Sequence, residues 1–152
     1  MIQYVHSRGG LIGQYTTLHT KPPVCAAIIT SPWLKLVSAP PQAAFKAIGA
    51  LSGVLSPFSI NNGIPSTALC HDPAVCAAYD VDPQNHGRIG LALAADANRA
   101  ANWVLAHPEE LKVPLLLCHG EQDPICSVEG SREFAEKAKG VRFVEFEGAY
   151  HE

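Results

Sequence analysis

The segment Val24-Cys25-Ala26-Ala27-Ile28-Ile29-Thr30 carries no charge and no alternation of polar with apolar positions. A strand with one face in water alternates. An unbroken apolar run belongs to a strand covered on both faces, the condition of a parallel sheet. Parallel neighbours need a crossover to return the chain to its starting edge, usually a helix. The flanking sequence supplies one. Ile2 to Val5 reads as the tail of a strand, and Gly9 to Leu18 reads as a helix with Leu11, Ile12 and Tyr15 at helical spacing, broken by Lys21-Pro22-Pro23. A second block repeats the plan. Val113 to Cys118 reads as a strand, Ser127 as the N-cap of a helix through Lys139 with Gly140 at its stop, and Val141 to Phe146 as an alternating strand. Two such blocks predict an α/β fold with a parallel sheet of about four strands.

Between the blocks the character changes. From Ser31-Pro32-Trp33 to Pro108 the chain is rich in Ala, Pro, Gly and Ser and reads as helical pieces with no strand. Pro41 to Leu51 reads as one helix, with Phe45 and Ile48 on a shared face. Asp72 caps a helix that starts at Pro73 and runs to Tyr79, and Ile89 to Ala106 is the longest. The expected organisation is a core made of residues 1–32 and 109–152, with a helical cap of residues 33–108 inserted as a lid. Such a lid lies over the carboxyl ends of the strands, where parallel sheets bind ligands.

Composition narrows the function classes. With 47% hydrophobic and 16% charged residues among 152, the chain is globular rather than disordered. A net charge of −3 without a basic stripe excludes nucleic acid as an expected partner. Nowhere do the roughly 18–20 unbroken apolar residues of a membrane span occur. The start has neither the basic region nor the apolar run of a signal peptide. The five cysteines (Cys25, Cys70, Cys76, Cys118, Cys126) are odd in number and lack CxxC spacing, so they read as reduced, in a cytoplasmic protein. Cys25 and Cys118 read as small hydrophobes within strands. Cys70-His71-Asp72 with Cys76 fits no standard zinc spacing, and no metal or cofactor is expected.

The residues that carry chemistry stand at strand ends. Val5-His6-Ser7-Arg8-Gly9-Gly10 runs from strand to helix through a serine and two glycines. That is the context a nucleophilic serine needs, because a sharp turn lifts its oxygen above the sheet's carboxyl edge. Gly120-Glu121-Gln122-Asp123-Pro124 follows another strand, and His151 follows the last. Each has an ordinary reading: serine before glycines as a turn, Gln-Asp-Pro as a turn, His151 as a terminal residue. Their chain order of Ser, Asp, His on one edge is what joins them. Ser7 then attacks, His151 takes its proton, and Asp123 holds the imidazole tautomer. His119 reads as structural, and His86 and His107 as surface or capping residues. Phe45, Phe58 and Trp103 are expected either to line an acyl pocket or to pack in the core.

These segments, with Ile29-Thr30-Ser31-Pro32-Trp33-Leu34 and Tyr79-Asp80-Val81-Asp82-Pro83, resemble the monoacylglycerol lipase and lysophospholipase branch of the α/β-hydrolases, which includes serine-aminopeptidase-like sequences. The resemblance covers essentially the whole chain. It implies Ser7, Asp123 and His151 as a catalytic triad, the Arg8 backbone N–H as an oxyanion donor, and a cap that receives an acyl chain. The implied substrate is a small-molecule lipid ester, a monoacylglycerol or lysophospholipid, with peripheral membrane contact through the cap. Two departures stand out. The family elbow usually reads Gly-His-Ser-Met-Gly-Gly. Here Val5 puts a branched side chain where the helix packs closely, which predicts a distorted turn, and Arg8 puts a charge beside the acyl site. The family fold also has about four more strands before its elbow, and a His-Gly loop with a second oxyanion donor. No counterpart stands upstream of Ser7. Loss of one such donor costs ~10²–10³ in rate. The first strand is then an apolar edge, which predicts a homodimer paired along it. The alternative expectation is a truncated, non-catalytic fragment that acts only with a partner or a missing N-terminal segment.

Overall fold

A computed structural model describes residues 1–152. The chain opens with strand β1 (Ile2–His6), helix α1 (Ser7–His19) and strand β2 (Ala26–Thr30). Helices α2 (Gln42–Ala50) and α3 (Ser52–Leu55), strand β3 (Ser59–Asn61), helix α4 (Pro73–Val81) and strand β4 (Arg88–Gly90) follow. The chain ends with α5 (Leu91–Ala106), β5 (Leu115–Gly120), α6 (Val128–Lys137) and β6 (Val141–Phe146). The main sheet has the order β1-β2-β5-β6, all parallel, with Ile28 opposite both Tyr4 and Leu116, and Cys118 opposite Val144. This is the parallel α/β plan expected from the apolar runs.

Burial explains why those runs lack polar residues. Ala27 and Ile29 of β2 and Leu115 and Leu117 of β5 are almost wholly inaccessible, and they pack with Leu11 and Leu18 of α1 and Phe134 of α6. Helix α5 lies in the interval read as cap, yet its Ala97, Ala101 and Val104 join this same core. Its small residues let it lie close against α1. The outer strand β1 is different. Ile2 and Tyr4 are mostly exposed, and its far edge has no neighbouring strand.

Three local expectations are corrected. The interval between the blocks contains strand, since β3 and β4 pair antiparallel with Ile60 opposite Ile89. Each has three residues, too few for alternation to register. Ser127 does not cap α6 with its side chain; its backbone N–H instead reaches Lys35 O at 2.9 Å. Cys25 lies exposed just before β2 rather than packed within it. Asp72 does cap α4, accepting from Ala74 N–H at 2.8 Å. No helix is long and apolar enough to cross a membrane.

The elbow is not distorted by Val5. Ser7 keeps a left-handed φ of 54°, the strained value that a strand-to-helix turn of this sharpness imposes. Space for the valine comes from Gly13, further along α1. A Cβ there would lie 2.8 Å from Val5 Cγ2 and 2.5 Å from Gln3 Nε2. Gly10 likewise lets α1 close on β2, since its Cβ would meet Ile29 and Pro32 at 3.2 Å. Gly13→Ala is therefore expected to cost about 1–3 kcal/mol in urea-unfolding free energy. Adding Val5→Ala should recover part of that loss, a non-additivity that two unconnected sites would not show.

Candidate active site

Three elements deliver their ends to one place. Ser7 stands at the β1–α1 junction, Asp123 in the turn after β5, and His151 in the loop after β6. His151 Nε2 lies 2.8 Å from Ser7 Oγ, and His151 Nδ1 lies 2.7 Å from Asp123 Oδ2. The three residues singled out in the sequence are thus brought together in one hydrogen-bonded line. Asp123 and His151 are buried, while Ser7 is half-buried at the edge of a cleft.

The seating of His151 depends on Gly120. A Cβ at this position would fall 2.0 Å from Tyr150 O and 2.5 Å from Ala149 O, so no other residue lets the loop approach. Gln122 N–H donates to Ala149 O at 3.0 Å, and Gly148 N–H donates to Glu121 at 3.0 Å. From the other side Ser31 Oγ donates to His151 O at 3.1 Å, and Glu152 N–H donates to Leu69 O at 2.9 Å. The His71 ring packs on Tyr150, centroids 3.7 Å apart, and hydrogen-bonds Gly148 O at 2.8 Å. The His71 side chain is therefore turned toward this loop, and the Asp72 carboxylate toward the start of α4. The Cys70 and Cys76 sulfurs, 4.0 Å apart, have neither of these side chains as a partner.

Asp123 is ionised by its surroundings. Burial pushes its carboxyl up, but hydrogen bonds from His119 and His151 outweigh burial and hold it far below the usual carboxylate range. Its other oxygen accepts from Ile125 N–H at 2.8 Å and Cys126 N–H at 2.9 Å. The Cys126 Sγ lies within 4.8 Å of ligand atoms on Asp123 and His151. Burial pushes that thiol up, so it stays protonated and does not act as a thiolate ligand. His119, structural by its sequence, in fact lies against the triad, with Nε2 3.2 Å from Asp123 Oδ2. The spacing His119-Gly120-x-x-Asp123 is the signal that points to it, since both residues stand at the carboxyl end of one strand.

The Arg8 N–H belongs to the first turn of α1, whose leading N–H groups have no carbonyl four residues back. It is free to donate to an anionic oxygen beside Ser7, and the positive end of the helix dipole points the same way. The cleft measures about 800 Å³. Trp33, Leu36, Phe45 and Ile89 supply apolar wall, and Arg8 and His86 supply polar wall. Of the three aromatics read as pocket or core, Phe45 lines it, and Trp103 and Phe58 do not. Trp103 stacks on His107 at 4.4 Å and meets Tyr15 edge-on at 5.1 Å, on the face of α5 that packs against α1. His107 Nδ1 bonds Trp103 O at 2.8 Å, closing the end of α5 as a capping residue.

A parallel sheet with crossover helices, a strained serine at a strand-to-helix turn, and Asp and His from later strand ends define an α/β-hydrolase. The serine aminopeptidase S33 model of this class matches residues 1–152, and the chain belongs to that family. It is 29% identical over 109 residues to a monoacylglycerol lipase of Mycolicibacterium smegmatis, covering 70% of this chain and 39% of that protein. It is 28% identical over 162 residues to an uncharacterized abhydrolase domain-containing protein of Dictyostelium discoideum, covering 98% of this chain and 16% of that one. Among solved structures, the monoacylglycerol lipase of Paleococcus ferrophilus superposes with a TM-score of 0.90 at 30% identity, covering 99% of this chain and 60% of that chain. A soluble variant of the Saccharomyces cerevisiae monoglyceride lipase shares the fold, with a TM-score of 0.76 at 18% identity over 97% of this chain and 53% of that one. The chain thus spans less than two thirds of the length of these relatives.

His6 flanks the site with its ring centroid 4.8 Å from that of His151. Burial, with the neighbouring His151, holds His6 below its ordinary value. The unfolded chain protonates His6 near its free value of about 6.5, and the folded chain only at lower pH. Between those points the unfolded state binds more protons, so stability falls as pH is lowered. Asp123 adds no slope there: its stabilisation is complete above its free value of about 3.9 and fades only below it. Urea unfolding is expected to show stability declining as pH drops through about 6.5, with a shallower decline in His6→Gln.

Proposed function

We propose that this chain carries a serine esterase site that cleaves carboxylic esters of single-chain lipids through an acyl-serine intermediate. The observation that carries the reading is the unbroken line Ser7 Oγ, His151 and Asp123, at 2.8 and 2.7 Å, opening into a partly apolar cleft. His151 accepts the Ser7 proton as Oγ bonds to the ester carbonyl carbon. The oxygen that becomes negative is met by the Arg8 N–H. His151 then gives the proton to the departing alcohol, which leaves an acyl group on Ser7. Water repeats the cycle, with the same histidine as base, to release the fatty acid. The ionised Asp123 keeps Nδ1 of His151 protonated, so Nε2 is the nitrogen free to accept.

Similarity to two proteins named monoacylglycerol lipase supports a glycerol ester as substrate. Arg8 favours a second reading within the same chemistry. Arg8 lines the cleft one residue after Ser7, and its charge there would favour an anionic head group over a neutral one. A lysophospholipid has such a head group. Arg8→Met is expected to lower kcat/KM for a lysophospholipid about two- to fivefold while leaving that for a monoacylglycerol unchanged or raised. Equal effects on both would remove the second reading.

A fluorophosphonate probe tests the reading itself. The folded chain is expected to take one label, at Ser7, and Ser7→Ala to take none. A folded wild-type chain that stays unlabelled would instead favour a segment that is active only when another strand pairs with β1, whose Ile2 and Tyr4 lie exposed.

A further inference from the structure

Asp123 lies between two imidazoles. His151 Nδ1 approaches Oδ2 at 2.7 Å on the side of the serine, and His119 Nε2 approaches the same oxygen at 3.2 Å. His119 is 1% exposed and belongs to β5, the central strand that also ends at Gly120. Its Nε2 lies 3.0 Å from Cys126 O, and its Nδ1 lies 2.7 Å from Ser131 Oγ on α6, a side chain as fully buried as its own. A carbonyl oxygen only accepts, so Nε2 carries the hydrogen, bonds it to Cys126 O, and turns its positive side to Asp123 Oδ2 at 3.2 Å. In the neutral ring Nδ1 is then the acceptor, and the Ser131 hydroxyl donates to it. The partners leave one tautomer.

We infer that His119 is a positioning residue for the triad: its Nε2–H, held in one tautomer by Ser131 and the Cys126 carbonyl, fixes Asp123 Oδ2 where it meets His151. The inference rests on the triad reading given above and extends it by two residues, into the line Ser131, His119, Asp123, His151, Ser7. The physical consequence lies in how the carboxylate charge is shared. Oδ1 is satisfied by Ile125 and Cys126 N–H groups, and Oδ2 by the two imidazoles alone. Remove the His119 donor and the charge on Oδ2 is met only by His151. His151 then becomes a stronger base, and Asp123 is less firmly aimed. The other titratable groups around His151 are few. They are His6 from β1, beside it, Tyr150 and Glu152 on either side of it in the loop, with Glu152 Oε1 4.0 Å from His6 Nε2, and the protonated Cys126 thiol before α6. None of them donates to Oδ2.

The test uses the titration of His151, followed by NMR at its ring C–H, beside the fluorophosphonate labelling rate. His119→Leu removes the donor. It should raise the His151 midpoint by about half to one unit and slow labelling at neutral pH about tenfold. His119→Gln returns an N–H near the position of Nε2. It should restore the midpoint and bring labelling within about twofold of wild type. A packing role alone would slow labelling in both variants and leave the midpoint in place. A folded His119→Leu chain with an unmoved His151 midpoint, or a Gln variant as impaired as Leu, overturns the inference. If the Leu variant does not fold, Ser131→Ala decides. With the hydroxyl gone Nδ1 loses the partner that seats the ring, Nε2–H is less firmly aimed at Oδ2, and the midpoint should move in the same direction by a smaller amount; an unchanged midpoint is equally fatal. Failure of the esterase reading looks different: Ser7 in the wild-type chain takes no label, while the His151 midpoints still report independently on His119.

Discussion

The geometry of the site depends on one contact in which nothing is present: the missing side chain at Gly120. The loop that ends at His151 crosses the end of β5 so closely that even a methyl group there would overlap the Tyr150 carbonyl. That approach carries His151 from the edge strand β6 across to Ser7 at the head of α1, past β5 and β2. Hydrogen bonds with Gln122, Ser31 and Leu69 then fix the height and tilt of the loop. Three separate parts of the chain grip it, so a displacement of any of them is felt at the imidazole. Positions within about half an ångström matter to proton transfer. The fold achieves this mostly with backbone contacts, which vary less than side-chain rotamers do.

Electrostatics adds a second layer on the same scaffold. Four donors surround Asp123, two from backbone and two from imidazoles, and together they offset the cost of burying a carboxylate. A carboxylate with fewer donors would take up a proton at higher pH and would stop specifying the tautomer of His151. The parallel sheet helps in a simple way. Its carboxyl edge gathers strand ends and the N-terminus of α1, so charge of both signs has a natural place there.

Much of this is legible from residue pattern. Buried strands betray themselves by unbroken apolar runs, so β2 and β5 lie within two residues of where the pattern puts them, and β6 matches at both ends. The order Ser7, Asp123, His151 is legible because each follows a strand. Other features leave no pattern. Strands β3 and β4 are three residues long and largely exposed, and their pairing joins distant positions, as Ile60 with Ile89. The placement of α5 in the core, and Trp103 with it, depends on which face of an Ala-rich helix meets α1; an apolar stripe shows that a face is buried but not against what. For His119 the spacing to Asp123 places both at one strand end, but its contacts are hidden for a related reason. One histidine after a strand says nothing of its partners until the turn that follows is seen to fold back on it.

The two departures at the elbow show how such a site tolerates change. Val5 adds volume at a crowded corner, and the chain answers with Gly13, on the face of α1 that looks back along β1. A Cβ at position 13 would overlap the valine, so the two positions share one volume. Arg8 is accommodated by a different rule. Its backbone N–H stands in the open first turn of α1, and the availability of that donor makes no demand on what the side chain is. Position 8 is therefore less constrained by the backbone than position 7. Ser7 is constrained twice, by its φ of 54° and by the 2.8 Å contact to His151. On the proposed reading, an elbow of this kind leaves the nucleophile to backbone shape and recognition to a side chain beside it.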